Sequence, residues 1–519
     1  MAIKKYVAEK DNTITNALGT DLKTRMTGSN MGAADILEVF SIYGQQTTSS
    51  AELSRALVQF PISTISADRT AGSIPASGSV NFFLRLFNAR HSEQLPENFT
   101  VNVLAVSASW QEGSGLDMES YTDKTKDKIE GSNWINRLSS TAWASIGGDY
   151  HSSSYAAGVS MPNHTFTFDE GYEDMLLDVT PTVEEWLAGT HSNYGFGVFL
   201  TSSQEAFTTA SSANVLLNAA GSKRSYYTKR FFSRSSEFFF KKPAIEARWD
   251  STKKDDRGAF YYSSSLAPAD DNLNTLYLYN YIRGELKNIP LVGTGSIAVS
   301  IYSGSTDDTD PSGSKLELSQ GGGVKSSGDL NVTGAYVSTG IYSASFAFTG
   351  AASLKTIYDV WHTGSFEDSL AETQFVTGAI SPKTFSSPGW NSYQQYVTKI
   401  TNLKTKYVKN EQARFRVFVR PRNFSPTIYN VAKTEIEGVT IPSASYEVIR
   451  MVDEHTVINN STGSATRHTH LSYDNSGSYF DLDMSLLEPG YLYGVKLAYY
   501  SSGDWREQEE VFKFRVEDN

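Results

Sequence analysis

"LLDVTPTVEEWLAGTHSNYGFGVFL", from Leu176 to Leu200, changes its hydrophobic period twice. It starts as a strand. Val179, Val183, Trp186 and Leu187 then fall at i, i+4, i+7 and i+8, the stripe of a short helix. Thr180 stands where an N-cap is expected, and Pro181 suits the first helical position. Gly189 marks the stop, and Asn193-Tyr194-Gly195 turns the chain into a second strand, Gly195–Leu200. So short a helix is not stable alone. The pattern predicts a helix laid across one end of a β-sandwich, with Trp186 as the plug. Asp178, Thr180, Trp186, Gly189, Tyr194 and Gly195 are its structural residues.

Glu184 and Glu185, inside this helix, invite a catalytic reading. Glycoside hydrolysis needs two carboxyl groups about 5–10 Å apart across a cleft. Helix neighbours point about 100° apart, so the pair is expected on a solvated face near the positive end of the helix dipole. His191 has no second histidine near it in the sequence and reads as loop polarity.

Around this stretch the chain is built for strands. It has 519 residues, which suits about two to four domains. Hydrophobic residues make up 39%, charged residues 20% and aromatic residues 13%, the composition of a folded protein. Tyr and Phe are abundant, as are Ser, Thr and Gly, which favours strands and turns. The net charge of −12 argues against nucleic acid as a partner. Lys223-Arg224, Lys229-Arg230 and Lys241-Lys242 are spaced by aromatics in a strand register and read as solvated strand faces. There is no cysteine, which excludes disulfides, thiolate metal sites and thiol nucleophiles. The first residues lack the apolar stretch of a signal peptide, and no apolar run is long enough to span a membrane. A β-rich chain made in a cytoplasm without a secretion signal fits a virion component.

Residues 1–250 read as one block of alternating strands, among them Ile36–Tyr43, Leu53–Phe60, Val80–Phe87, Phe99–Val106, Val215–Leu217 and Ala244–Trp249. Gln111–Ala157 reads as a long polar loop, pinned by Trp110, Trp134 and Trp143. Asp250–Asp256 (DSTKKDD) reads as a linker. Two further strand sets follow, 257–390 and 396–519, with Ser/Gly-rich loops at Thr306–Ser314 and Gln320–Asp329. About five to seven strands in roughly 120 residues is the spacing of an immunoglobulin-like sandwich.

The pieces of the first block fall in a specific order. They are Asp11-Asn12-Thr13-Ile14, Arg55-Ala56-Leu57-Val58-Gln59-Phe60, Trp110-Gln111-Glu112, Asn133-Trp134, Trp143, Gly147-Gly148-Asp149-Tyr150, Asp178–Gly195, Ser233-Arg234 and Pro243–Trp249. In that order they resemble a DNRLRE-type domain, a jelly-roll-like β-sandwich with carbohydrate-binding relatives. The likeness covers about residues 5–250 and departs at the aromatic and basic stretch Tyr226–Lys242. With immunoglobulin-like modules appended, the layout resembles structural proteins of large tailed bacteriophages. The resemblance implies a virion protein that packs against other virion proteins and self-associates, or a module that attaches to host-surface glycan.

The residues leave several sites to test. Sugar faces stack on exposed aromatics, so Trp110, Trp134, Trp143 and Tyr150 are the glycan candidates, although loop indoles serve equally well for packing. Asp117, Glu119, Asp123 and Asp127 crowd one loop, and such oxygens can hold Ca²⁺, although the EF-hand spacing is absent and a solvated acidic loop is favoured. No other cofactor is implied. His468 and His470 alternate along a strand, as a metal pair on an oligomer axis or as an exposed pair. No nucleophile elbow, zincin, P-loop or dinucleotide fingerprint occurs, so no catalytic residue is assigned. The expected architecture is all-β: one N-terminal β-sandwich with a short helix, then two immunoglobulin-like β-sandwiches.

Overall fold

The computed structural model describes residues 2–43, 51–91, 96–126, 130–152, 156, 159–209, 215–263, 268, 271–303, 314–320, 323–325, 330–348, 354–363, 373–383, 395–422, 424, 438–463, 467–501 and 503–518. The protein is all-β, as expected, and falls into two compact units. The first is Met1–Asp250 with the short segments Gly463–His468 and Ser485–Glu488; the second is the remainder. The break at Asp250 is where the polar run DSTKKDD begins.

In chain order the first unit runs β1 (Ile3–Val7), β2 (Lys10–Thr15), β3 (Ile36–Tyr43), β4 (Glu52–Gln59), α1 (Ile62–Thr70), β5 (Asn81–Leu86), β6 (Phe99–Ala105), β7 (Asn136–Leu138), β8 (Thr141–Ala142), β9 (Asn163–Phe168), β10 (Met175–Asp178), α2 (Thr180–Leu187), β11 (Phe196–Leu200), β12 (Ser225–Phe232) and β13 (Ala244–Arg248). Two antiparallel sheets face each other. One has the order β1-β13-β5-β10; the other has the order β12-β3-β4-β11-β6-β9, with β2 also on β4. Phe82, Leu84, Leu86 and Ile245 from the first meet Val58, Val101, Val103, Phe196 and Phe231 from the second. Val215–Leu217 does not form a strand.

The middle of the larger sheet, at β4 and β11, is buried on both faces. Along β4, Ala56 and Val58 join the sandwich core. Leu53 and Leu57 turn the other way, into a second cluster with Ile14, Val106, Trp110, Trp134 and Trp143. The long polar stretch after Trp110 therefore covers the outside of a sheet, and its indoles seal it.

The opening helix closes the sandwich as predicted: Val179, Val183 and Trp186 are buried in the main core, and the Trp186 ring lies 4.8 Å from that of Phe196. Its start is built differently. Thr180 does not cap it. Instead the Thr180 hydroxyl accepts the Phe82 N–H at 2.8 Å and donates to Asp178 Oδ1 at 2.6 Å, tying the helix to β5. The glutamates are not on a solvated face either. Glu184 accepts two hydrogen bonds from the Arg69 guanidinium of α1, at 2.8 and 2.6 Å, and Glu185 is buried with the Thr190 hydroxyl on Oε2.

The second unit carries both later strand sets. In the first, Asn331–Gly334 pair with Ile297–Ser300, and the rest of that strand pairs with Ile341–Ser343, with a bulge between Tyr336 and Ser338. One strand thus serves two halves of a sheet around Leu276, Val299, Phe346 and Trp361. In the second, a four-stranded and a six-stranded sheet stack through Phe480 on Tyr446, with centroids 4.3 Å apart. The short strand Lys406–Val408 runs parallel to Phe512–Glu517, an immunoglobulin-like closure. Asp250–Asp256 is not a free linker along its length. Lys253 and Asp255 pair with Tyr473 through the backbone, Asp255 is buried, and Asp256 binds the Thr275 N–H and the Tyr473 hydroxyl. The loops at 304–313, 321–322 and 326–329, and the expected boundary near 390, lie outside the described residues.

Candidate functional site

The scattered motif pieces converge on the outer layer of the first unit. Glu112 accepts the Asp11 N–H at 3.0 Å and clamps the Arg234 guanidinium at 2.8 to 3.0 Å. Asp11, in turn, accepts the Arg234 backbone N–H. Burial pushes the Asp11 carboxyl up to about 7, with the Arg234 N–H opposing and the Glu112 charge adding. Asn12 donates to both oxygens of Ser132 and accepts the Met31 N–H. Asn30 donates to the Glu112 and Ser132 carbonyls and accepts from Gly32 and Gly115. Asn30 thereby uses both amide hydrogens and both Oδ1 lone pairs, and Asn12 both of its amide hydrogens.

A second knot lies beside it. Arg55 is buried, with Nη2 3.2 Å from Glu205 Oε1 and Nη1 3.1 Å from the Gly147 carbonyl. Its guanidinium lies 4.5 Å from the Phe199 ring, 5.6 Å from Trp134 and 5.7 Å from Tyr150. The charge is paired, hydrogen-bonded and covered by aromatic faces, which makes its burial tolerable.

The glycan candidates are overturned as stacking platforms. Trp110, Trp134 and Trp143 are 3%, 0% and 4% exposed, so no sugar face can reach them. Trp110 donates to the Tyr194 carbonyl and Trp143 to the Asn133 carbonyl. Tyr150 is half-buried, with its hydroxyl on the Gly147 carbonyl and its ring 4.7 Å from Phe199. Among the solvent-facing aromatics of the first unit, which include Tyr172 and Tyr226, is Tyr121, 67% exposed. It rims a polar cleft of about 400 Å³ lined by Ser29, Asn30, Ser114, Thr122, Glu130, Asn133 and Ser139.

The acidic loop folds onto itself. Asp117 accepts the N–H groups of Glu119 and Tyr121, and Asp123 accepts the Thr125 N–H and hydroxyl, which hold its carboxyl below the usual range. Asp127 lies outside the described residues, and among those described no group of three such side chains is placed to hold a metal. The fold does give His191 a histidine neighbour. The His151 ring is 5.7 Å away, and Glu185 Oε2 is 3.6 Å from Nδ1. His468 is buried and the His470 ring sits 5.5 Å from Trp505, so they are not an exposed pair.

Sequence reasoning missed the buried cations. Lys229, read as solvated, is 0% exposed. Its signal was parity: along β12 it shares a face with Phe231, which is core. Lys5, Arg85 and Arg248 surround Glu246 on the outer face of the smaller sheet. Burial lowers Lys5 to about 8, against the pull of Glu246.

No protein-family model matches the chain, and no curated protein does. Among solved structures, a chimeric titin Z1Z2-Z1Z2 tandem is similar at 10% identity over 50% of this chain and 93% of that one, with a TM-score of 0.15. A marsupial T cell receptor is similar at 9% identity over 50% of this chain and 72% of its own, with a TM-score of 0.16. A DUF4785 family protein of Legionella pneumophila is similar at 8% identity over 98% and 92%, with a TM-score of 0.14. Such scores carry no argument about activity.

Proposed function

We propose that the chain is a non-catalytic structural protein of a tailed-bacteriophage particle, acting by packing against neighbouring virion proteins and against copies of itself. One observation carries this reading. Side chains of the DNRLRE-like pattern are engaged inside the first unit: Glu112 binds Arg234 and the Asp11 N–H, and Arg55 binds Glu205 and the Gly147 carbonyl. Side chains held in this way support a role played by surfaces rather than by a reactive centre. The test is antibody-gold labelling and protein analysis of purified particles. The chain is expected at a fixed place and in constant copy number; its absence from intact particles would overturn the reading.

Attachment to a host-surface glycan is the second reading, favoured by the polar cleft beside Tyr121. Aromatic faces and hydroxyl-lined clefts suit sugars. On a glycan array, Tyr121→Ala is expected to abolish any binding without changing the melting temperature. Binding that survives this substitution would remove the cleft from consideration.

A further inference from the structure

We propose that Lys229 and Asn88 form an intramolecular isopeptide bond that staples the two sheets of the first unit together. Lys229 lies on β12, the edge of the larger sheet, and points inward between Phe168 and Phe231, whose ring centroids lie 4.3 and 5.5 Å from Nζ. Asn88 follows β5, an inner strand of the smaller sheet. The chain around Asn88 crosses to β12, where the Ala89 N–H meets the Arg230 carbonyl and the Phe232 N–H meets the Phe87 carbonyl. A bond between the two side chains would therefore join the sheets.

The two reacting groups are already joined by a hydrogen bond. Lys229 Nζ is 2.9 Å from Asn88 Oδ1, the oxygen on the carbon to be attacked. The Gly171 and Glu173 carbonyls, 2.8 and 2.7 Å from Nζ, fix it there. Two carboxylates flank the pair. Asp174 Oδ1 accepts the Asn88 N–H at 2.8 Å, and Glu173 Oε2 is buried and accepts no hydrogen bond among the described residues. Burial lowers the Lys229 ammonium to about 8, with Glu173 and Asp174 opposing. A desolvated lysine of this kind yields the neutral amine that a nucleophile must be, and fixed contact supplies the proximity.

The chemistry needs no outside reagent. The neutral Nζ attacks Asn88 Cγ and a C–N bond forms. Glu173 or Asp174 takes a proton from the attacking nitrogen and returns it to the departing amide nitrogen. The Cγ–Nδ2 bond then breaks. The products are one secondary amide and one ammonia. Nothing is oxidised or reduced, and the carboxylate ends as it began. A chain without cysteine would thus gain a covalent cross-link that no reductant opens.

Intact mass spectrometry of the purified, denatured full chain is the test. The expected mass is the sequence mass less one ammonia, and digestion should give a branched peptide carrying both Lys229 and Asn88. Lys229→Met and Asn88→Ala should each restore the full mass for their sequence. A wild-type chain at its full sequence mass, cleaved by trypsin after Lys229, would overturn the proposal whatever the variants do. So would a deficit that persists in either variant, because another site would then be its source.

Discussion

Asp11 holds one carboxylate oxygen against the Arg234 backbone N–H, while the other is buried with no donor among the described residues. Such a carboxyl is better protonated than charged. Its folded pKa, pushed up to about 7, lies above its ordinary 3.8, so the native state binds the proton more tightly than the unfolded chain. Stability from this group is full below about pH 4 and is lost as pH rises through about 7. Asp11→Asn should flatten that loss, which melting temperatures at pH 5 and pH 8 would reveal; an unchanged slope would exclude Asp11 as its source. Trp186, 5% exposed against Phe196, makes a packing prediction. Trp186→Ala should cost about 3–5 kcal/mol, the price of a large core cavity, read from urea unfolding midpoints. A midpoint equal to wild type would refute the plug. Trp186 was legible because its spacing named a stripe. Lys229 was not, because a basic pair read as composition hides its parity on the strand.

At the scale of elements, α2 was readable and α1 was not. α2 has its stripe, its proline and its glycine stop. α1, ISTISADRT, is rich in Ser and Thr and buries only Ile62 and Ile65, so nothing in its local pattern distinguishes it from a loop. It is helical because those two isoleucines enter the core and Arg69 grips Glu184 across the two helices. That pair is about one-fifth exposed at each partner. A double-mutant cycle of Arg69→Ala and Glu184→Ala should return a coupling of about 1 kcal/mol, at the upper end for pairs near a surface; zero coupling would make the contact incidental. The turn after α2 is stricter. Gly195 has φ +83, and a Cβ there would lie 2.1 Å from the Val58 carbonyl oxygen of β4. Gly195→Ala should therefore destabilise by more than about 1 kcal/mol, since alanine disfavours that backbone and the sheet carbonyl cannot move aside. A melting temperature at or above wild type would count against this geometry.

For the whole molecule, the two units have separate cores. Phe82, Val101 and Phe196 lie in one; Leu276, Phe346 and Trp361 lie in another. Calorimetry should therefore show more than one unfolding transition, with Trp186→Ala lowering only one of them; a single transition shifted as a block would mean the units unfold together. The outer layer of the first unit is the part of the molecule with the least local signature. Residues after Trp110 look like a polar loop because most of them are polar. They are a layer because a few indoles and the side chains of Asn12, Asn30 and Glu112 meet partners more than eighty residues away.

What the sequence determined by itself was whatever repeats at the period of an element: strands, the helix with Trp186, the break after Asp250, and the all-β class. Hydrophobic period and turn chemistry are local, and they survive translation into one dimension. What only the tertiary structure decided was the use of single polar and aromatic side chains. Whether Trp110 meets a sugar or a carbonyl, and whether Lys229 meets water or Asn88, depends on which strand lies opposite. That neighbour is set by long-range pairing between sheets, and no window along the chain contains it.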